Sequence, residues 1–338
     1  MESHIAALNA LKNVLEILPN ERVVIICDKE KADIGEAFAR GCVMTGAWTR
    51  IIMLEPGPVT KKECIRREVP DFLSEAVTGS NADVFINLMR GPSSETPFRI
   101  KLIKLENRGR IRLGHCPGIT IDMMESGALA LTDEEYKVMQ NIAQDLMGSL
   151  ANTVGVHISN EIGTDLTMRT RGRPFFTDTK LDWKTYKWMN LPVGEVLCGP
   201  EEDSLDGTLV CDLAIGGVGR VKSNVTVKAK KGKAVSVESK DKIALKDIQQ
   251  ALATDKWSDH VGEFAFGLNP KARLVDEFLE TEKLGSACHI AFGNNLDYPG
   301  GKNPSANHMD LLISKPTVEV TKEDGSKLLV MKKGKIVV

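Results

Sequence analysis

The chain has 338 residues, 42% hydrophobic and 27% charged, with 44 basic against 46 acidic side chains and a formal net charge of -2. That balance is the composition of an ordinary globular protein and excludes disordered and fibrous classes. The length predicts two domains, and folding on this scale removes about three quarters of the unfolded surface from water, so no disulfide or metal staple is needed and any metal serves chemistry.

Without an extended basic run the chain lacks the clustered Lys and Arg that phosphate contacts require, which excludes a general nucleic-acid binder. No apolar stretch reaches the roughly 18–20 residues that cross a bilayer. The start, MESHIAALNALKNVLEIL, carries Glu2 and His4 where a signal peptide is basic, so a cytoplasmic location is expected. Seven cysteines, Cys27, Cys42, Cys64, Cys116, Cys198, Cys211 and Cys288, form no CxxC pair. They read as reduced thiols, and zinc-finger readings fall away.

Residues 1–150 are expected to form an α/β domain with a mainly parallel sheet. Ile5, Leu8, Leu11, Leu15 and Leu18 lie on one helical stripe that Pro19 ends, and Arg22 to Cys27 is a buried-strand run. A helix over Ile34–Gly46, strands over Arg50–Leu54 and Asp83–Leu88, and a helix near Asp71–Val77 complete successive βαβ crossovers. A long helix closes the domain, with Thr132 and Glu135 as its capping box and Tyr136, Met139, Ile142, Ala143, Leu146 and Leu150 as its apolar face.

From about Thr153 short alternating runs take over: VGVHIS, TDLTMRT, GTLVCDLAI, NVTVKAK, AVSVES, TVEVT and LLVMKKGKIVV. They predict a β-rich α+β second domain over residues 151–338, with hairpin tips at Lys231-Gly232 and Lys333-Gly334.

Chemistry concentrates between Val261 and Ser314. His289 and His308 lie there, and in the His308-Met309-Asp310 triplet an extended backbone puts His308 and Asp310 on one face about 6–7 Å apart, within reach of one ion. Glu195 and Glu263 each follow a glycine and precede an apolar run, where an unpaired buried carboxylate is costly and a shared cation offsets that cost. With Glu282 these side chains form the mixed oxygen and nitrogen set of a two-metal hydrolase, in which ions about 3.5–4 Å apart share a bridging carboxylate.

Taken singly, each has a plainer reading: an HxD triplet arises by chance, and Glu195 and Glu263 resemble surface residues at strand starts. His115 reads as structural, and Cys288, facing away from His289 on a strand, as an inert buried thiol. Gly216-Gly217-Val218-Gly219 lacks dinucleotide-site spacing, and neither HExxH nor GxSxG is present.

The motifs GTDLTMRTRGR, LPVGEVLCGPEEDSLDGTLVCD, VGEFAFGLNPKA, TEKLGSACHIAFGNN and GGKNPSANHMD occur in order between about Asn160 and Lys315. Through them the chain resembles the M29 metallo-aminopeptidases, the aminopeptidase T group, and among these the shorter bacterial and archaeal members. NERVVIICD, SSETPFR and GHCPGIT carry a weaker resemblance earlier in the chain. The resemblance implies a two-domain homodimer acting on small peptides, with two divalent ions (zinc, cobalt or manganese) in the C-terminal domain. By motif it implies metal-ligand roles for Glu195, Glu263 (bridging), Glu282, His289, His308 and Asp310, with Glu263 or Glu282 taking a proton from the attacking water.

One departure concerns a tyrosine that longer members carry seven residues after the HIA histidine. Leu296 occupies that place here, and Tyr298, two residues further on, is the candidate for its catalytic role. Two alternatives stay open. A mononuclear Fe(II) ring-cleaving dioxygenase of the dihydroxypyridine type would use His289, His308 and Asp310 as a facial triad, and a metal-binding protein without turnover would follow from Leu296.

Overall fold

The computed structural model describes residues 1–55, 59–60, 63–108, 111–182 and 188–338, and leaves out the side chains of residues 59, 60, 63, 64 and 93. By contacts the chain divides into two units, Met1–Val138 with Asp178–Val193, and Met139–Thr177 with Gly194–Val338.

The first unit is built on a parallel five-stranded sheet in the order Trp188–Asn190, Arg112–Pro117, Val84–Met89, Arg22–Asp28, Trp48–Leu54. Arg22–Asp28 and Val84–Met89 are near-continuous apolar runs because interior parallel strands are buried on both faces. Helices Ala32–Thr45, Asp71–Thr78 and Thr96–Glu106 alternate with the strands. Helix Ser3–Asn13 is shorter than its sequence stripe. It ends before Glu16, which takes a left-handed φ of 48°, and Leu18 is left exposed.

A single boundary after residue 150 does not describe this arrangement, because Asp178–Val193 returns to the first unit and contributes an edge strand. That strand is three residues long, too short for any periodic signal, and its partner lies far away in sequence.

The second unit contains two antiparallel sheets. One has eight strands, from Lys233–Ser239 at one edge to Lys335–Ile336 at the other. Both lysine-glycine tips are hairpin turns, with left-handed φ at Lys231 and Gly232 and at Lys333 and Gly334. The other sheet has seven strands in the order Gly219–Arg220, Ala214–Ile215, His308–Ser314, Ala287–Gly293, Val261–Gly267, Glu195–Cys198, Phe176–Thr177. Its central strands Val261–Gly267 and Ala287–Gly293 are buried along their whole length.

The Asp133–Leu150 helix carries the chain between the units, and its capping box forms: Thr132 N donates to Glu135 Oε2 at 2.8 Å, and Glu135 N to Thr132 Oγ1 at 3.2 Å. The six cysteines with described side chains are buried free thiols, and the Cys64 side chain lies outside the described residues. Among the described residues no helix is long and apolar enough to cross a membrane.

Candidate metal centre

Register in the seven-stranded sheet decides which side chains share a face. Directly opposed residues of an antiparallel pair project to the same side. Glu195 opposes Gly267, Glu263 opposes Ala291, His289 opposes Ala265, Asp310 opposes Ala291 and His308 opposes Gly293. All five side chains therefore rise from one face of four adjacent strands, and every one faces an alanine or a glycine. The two alanines hold the face open beside these side chains. The glycines have another role: a Cβ at Gly267 would meet Leu284 O at 2.1 Å, and one at Gly293 would meet Asn307 O at 2.1 Å, so each lets a flanking loop close on the strand.

The donor atoms converge in two groups, Glu195 with Glu263 and His289, and Glu263 with His308 and Asp310, the atoms of each group within 4.8 Å of one another. Glu263 belongs to both. Its Oε1 lies 3.2 Å from His289 Nε2 and its Oε2 3.2 Å from His308 Nε2. His289 Nε2 is also 3.7 Å from Glu195 Oε1 and 3.7 Å from Asp310 Oδ1, and His308 Nε2 is 3.4 Å from Asp310 Oδ1.

Charge explains why such a set suits cations. Burial acts to lower the His289 imidazole, but the hydrogen bond to Glu263 and the charges of Glu195 and Asp310 push it up to about 9. His308 is likewise raised well above its ordinary value, burial being overcome by Asp310 and Glu263. Burial would raise the Glu263 carboxyl, yet both histidines hold it well below the usual range. The carboxylates thus favour positive charge at the two Nε2 atoms, which is the charge a divalent cation would supply there. The His308 Nδ1 donates to the Asn294 carbonyl at 2.9 Å, which leaves Nε2 as its candidate ligand atom. These carboxylates and imidazoles, buried except for the partly accessible His308, offer the oxygen and nitrogen donors that a divalent metal ion accepts.

The Tyr298 hydroxyl donates to Glu263 Oε2, and its ring packs 6.3 Å from His308 and 5.4 Å from Phe176. Leu296 is 53% exposed. Glu282 lies in neither donor group and pairs instead with Lys283 at 2.9 Å; burial raises its carboxyl, with Lys283 opposing and Asp310 adding to the rise. Lys283, only 2% exposed, also contacts Glu195 and escaped sequence reasoning, because a lysine beside a glutamate reads as solvated. Its one sequence signal is its place inside TEKLGSACHI. Cys288 points to the other face, and burial pushes its thiol up, as an inert core cysteine requires. His115 is buried in the first unit with its imidazole lowered to about 3 by burial and Arg99, so it is a neutral structural residue.

A family model for thermophilic metalloproteases (M29) matches residues 134–336. The structure is similar to wild-type AmpT from Thermus thermophilus, with a TM-score of 0.75 at 19% identity, covering 100% of this chain and 99% of that one. It is also similar to 2,5-dihydroxypyridine dioxygenase from Pseudomonas putida KT2440, with a TM-score of 0.70 at 16% identity, covering 99% and 97%. At such identities the two likenesses establish a shared fold. No curated protein matches the chain.

Proposed function

This chain belongs to the thermophilic metalloprotease (M29) family, and from that membership we propose that it is a two-metal aminopeptidase that removes the amino-terminal residue of small peptides. The observation that carries the proposal is Glu263, one buried carboxylate whose two oxygens face His289 and His308 separately. A carboxylate with each oxygen turned toward a different imidazole is placed as a bridging ligand would be, and this supports the two-ion reading.

Glu195, Glu263 and His289 would hold one divalent ion, and Glu263, His308 and Asp310 the other. Bound there, zinc, cobalt or manganese supplies Lewis acidity toward the scissile carbonyl, a lowered pKa for water and a hold on the free amine. The protein's own groups do the rest. Glu282, outside both donor groups, accepts the proton of the attacking water. Tyr298 projects its hydroxyl at the shared carboxylate and takes the role of the family tyrosine missing at Leu296, donating to the oxyanion as it develops. His308, with 34% of its side chain accessible, marks the side from which the peptide enters. A homodimer belongs to the same proposal on the strength of the family resemblance.

The dioxygenase reading needs two histidines and one carboxylate around one iron. Each donor group here instead contains one histidine and two carboxylates, which favours the hydrolase. The deciding assay offers free and N-acetylated peptides to metal-loaded protein. Stepwise release of free amino acids from the unblocked peptides alone supports the proposal; oxygen consumption with dihydroxypyridines and no peptide cleavage overturns it.

A further inference from the structure

A buried ammonium group is costly unless carboxylates pair with it, and Lys283 is 2% exposed beside the metal centre. Its Nζ lies 2.5 Å from Glu195 Oε2 and 2.9 Å from Glu282 Oε1. Glu195 is therefore split between two partners, since its Oε1 lies on the other side, 3.7 Å from His289 Nε2. The backbone builds a seat for this lysine. Asn269 N donates to Lys283 O at 2.9 Å, Asn269 and Leu284 form a β-bridge, and Gly267 lacks the Cβ that would collide with Leu284 O. The loop carrying Glu282 and Lys283 is thus docked on the end of the Val261–Gly267 strand, and its lysine is delivered to one oxygen of one carboxylate.

We propose that Lys283 is a positioning residue that holds Glu195 Oε2, so that Oε1 alone is presented to a divalent ion in the Glu195–Glu263–His289 group, and that it fixes Glu282 beside the same carboxylate. The inference rests on the metal-centre reading above. A carboxylate restricted to one oxygen leaves room at the ion for water and substrate, whereas one able to bind through both would close the site. The same ammonium ties the residue proposed to take the water's proton to a ligand of the ion, so ligand and base keep a fixed separation. The opposing account makes Lys283 a stand-in for the ion's charge, and in that case the ion displaces it and its removal does not weaken binding.

The experiment titrates Zn2+ by calorimetry into metal-stripped wild type, Lys283→Met and Lys283→Gln, and records the visible absorption of the Co2+-loaded forms. Lys283→Met should weaken the ion at the Glu195 group 10–100-fold, the usual cost of losing an outer partner of a ligand, and shift its Co2+ band, while the ion at the Glu263–His308–Asp310 group is retained. Lys283→Gln, which keeps a donor, should fall between Met and wild type, and it decides the matter if the Met variant does not fold by circular dichroism. Wild-type or tighter binding in the variants overturns the inference and leaves the metal centre standing. Equal weakening of both ions assigns Lys283 a general structural role and also overturns it. Wild-type protein that binds no ion overturns the metal-centre reading and this inference together.

Discussion

Ala265 stands directly opposite His289 across adjoining strands of the seven-stranded sheet, on the face from which the imidazole rises. Ala291 stands in the same way opposite both Glu263 and Asp310. The space beside the candidate ligands is therefore set by two methyl groups. Ala265→Leu should fill it. The variant should lose divalent-ion binding and should also be destabilised by about 1–3 kcal/mol through overpacking. Metal analysis beside a denaturant melt checks this, and full metal content in the folded variant counts against it.

Tyr298 reaches Glu263 through its hydroxyl, while Leu296, at the family tyrosine's position, is exposed. Tyr298→Phe should retain both ions and bind substrate with little change in KM, yet lose about 10²–10³ in kcat, the scale of removing one oxyanion donor. Steady-state kinetics on a dipeptide reads the split. An unchanged kcat removes Tyr298 from the chemistry.

Much of this architecture is legible in the sequence because it follows from local pattern. The apolar runs at Arg22–Asp28 and Val84–Met89 announce buried parallel strands, and the lysine-glycine pairs announce tight hairpins. His308 and Asp310 are readable as a pair since strand alternation places them on one face. Other features depend on tertiary structure. The strand Trp188–Asn190 has no signal of its own and exists by pairing with Arg112–Pro117. Lys283 becomes a buried group only when Gly267 admits the Leu284 backbone, an approach that no spacing rule encodes. The sharing of Glu263 between two histidines likewise depends on the register of three strands, and sequence alone supplies its residue type without its neighbours.

Away from the centre, Glu106 is wholly buried and accepts a hydrogen bond from Asn87 Nδ2 at 2.7 Å. Burial, only partly opposed by Asn87, raises its carboxyl from 4.5 to about 8. The folded protein therefore keeps a proton that the unfolded chain has released between those values, and stability contributed by the protonated group falls as pH rises through this window. Glu106→Gln mimics the protonated form. Its melting temperature should match wild type near pH 4.5 and exceed it increasingly toward pH 8; parallel curves across that range contradict the assignment.

The capping box of the Asp133–Leu150 helix gives a stability test independent of any metal. Thr132→Ala removes the side-chain acceptor for Glu135 N and should cost about 1 kcal/mol, within the 0.5–2 kcal/mol range of such caps, with the fold unchanged. Urea melts of metal-free protein measure it, and an effect near zero would show that the helix end is held by other contacts.

The most direct test counts ions per chain in wild type and in Glu263→Ala, purified without chelators and then loaded with Zn2+. A shared carboxylate predicts two ions in wild type, weakened binding of both in the variant, and loss of amino-acid release from peptides with them. One ion per wild-type chain, still held as tightly after Glu263 is removed, would contradict the account at its centre.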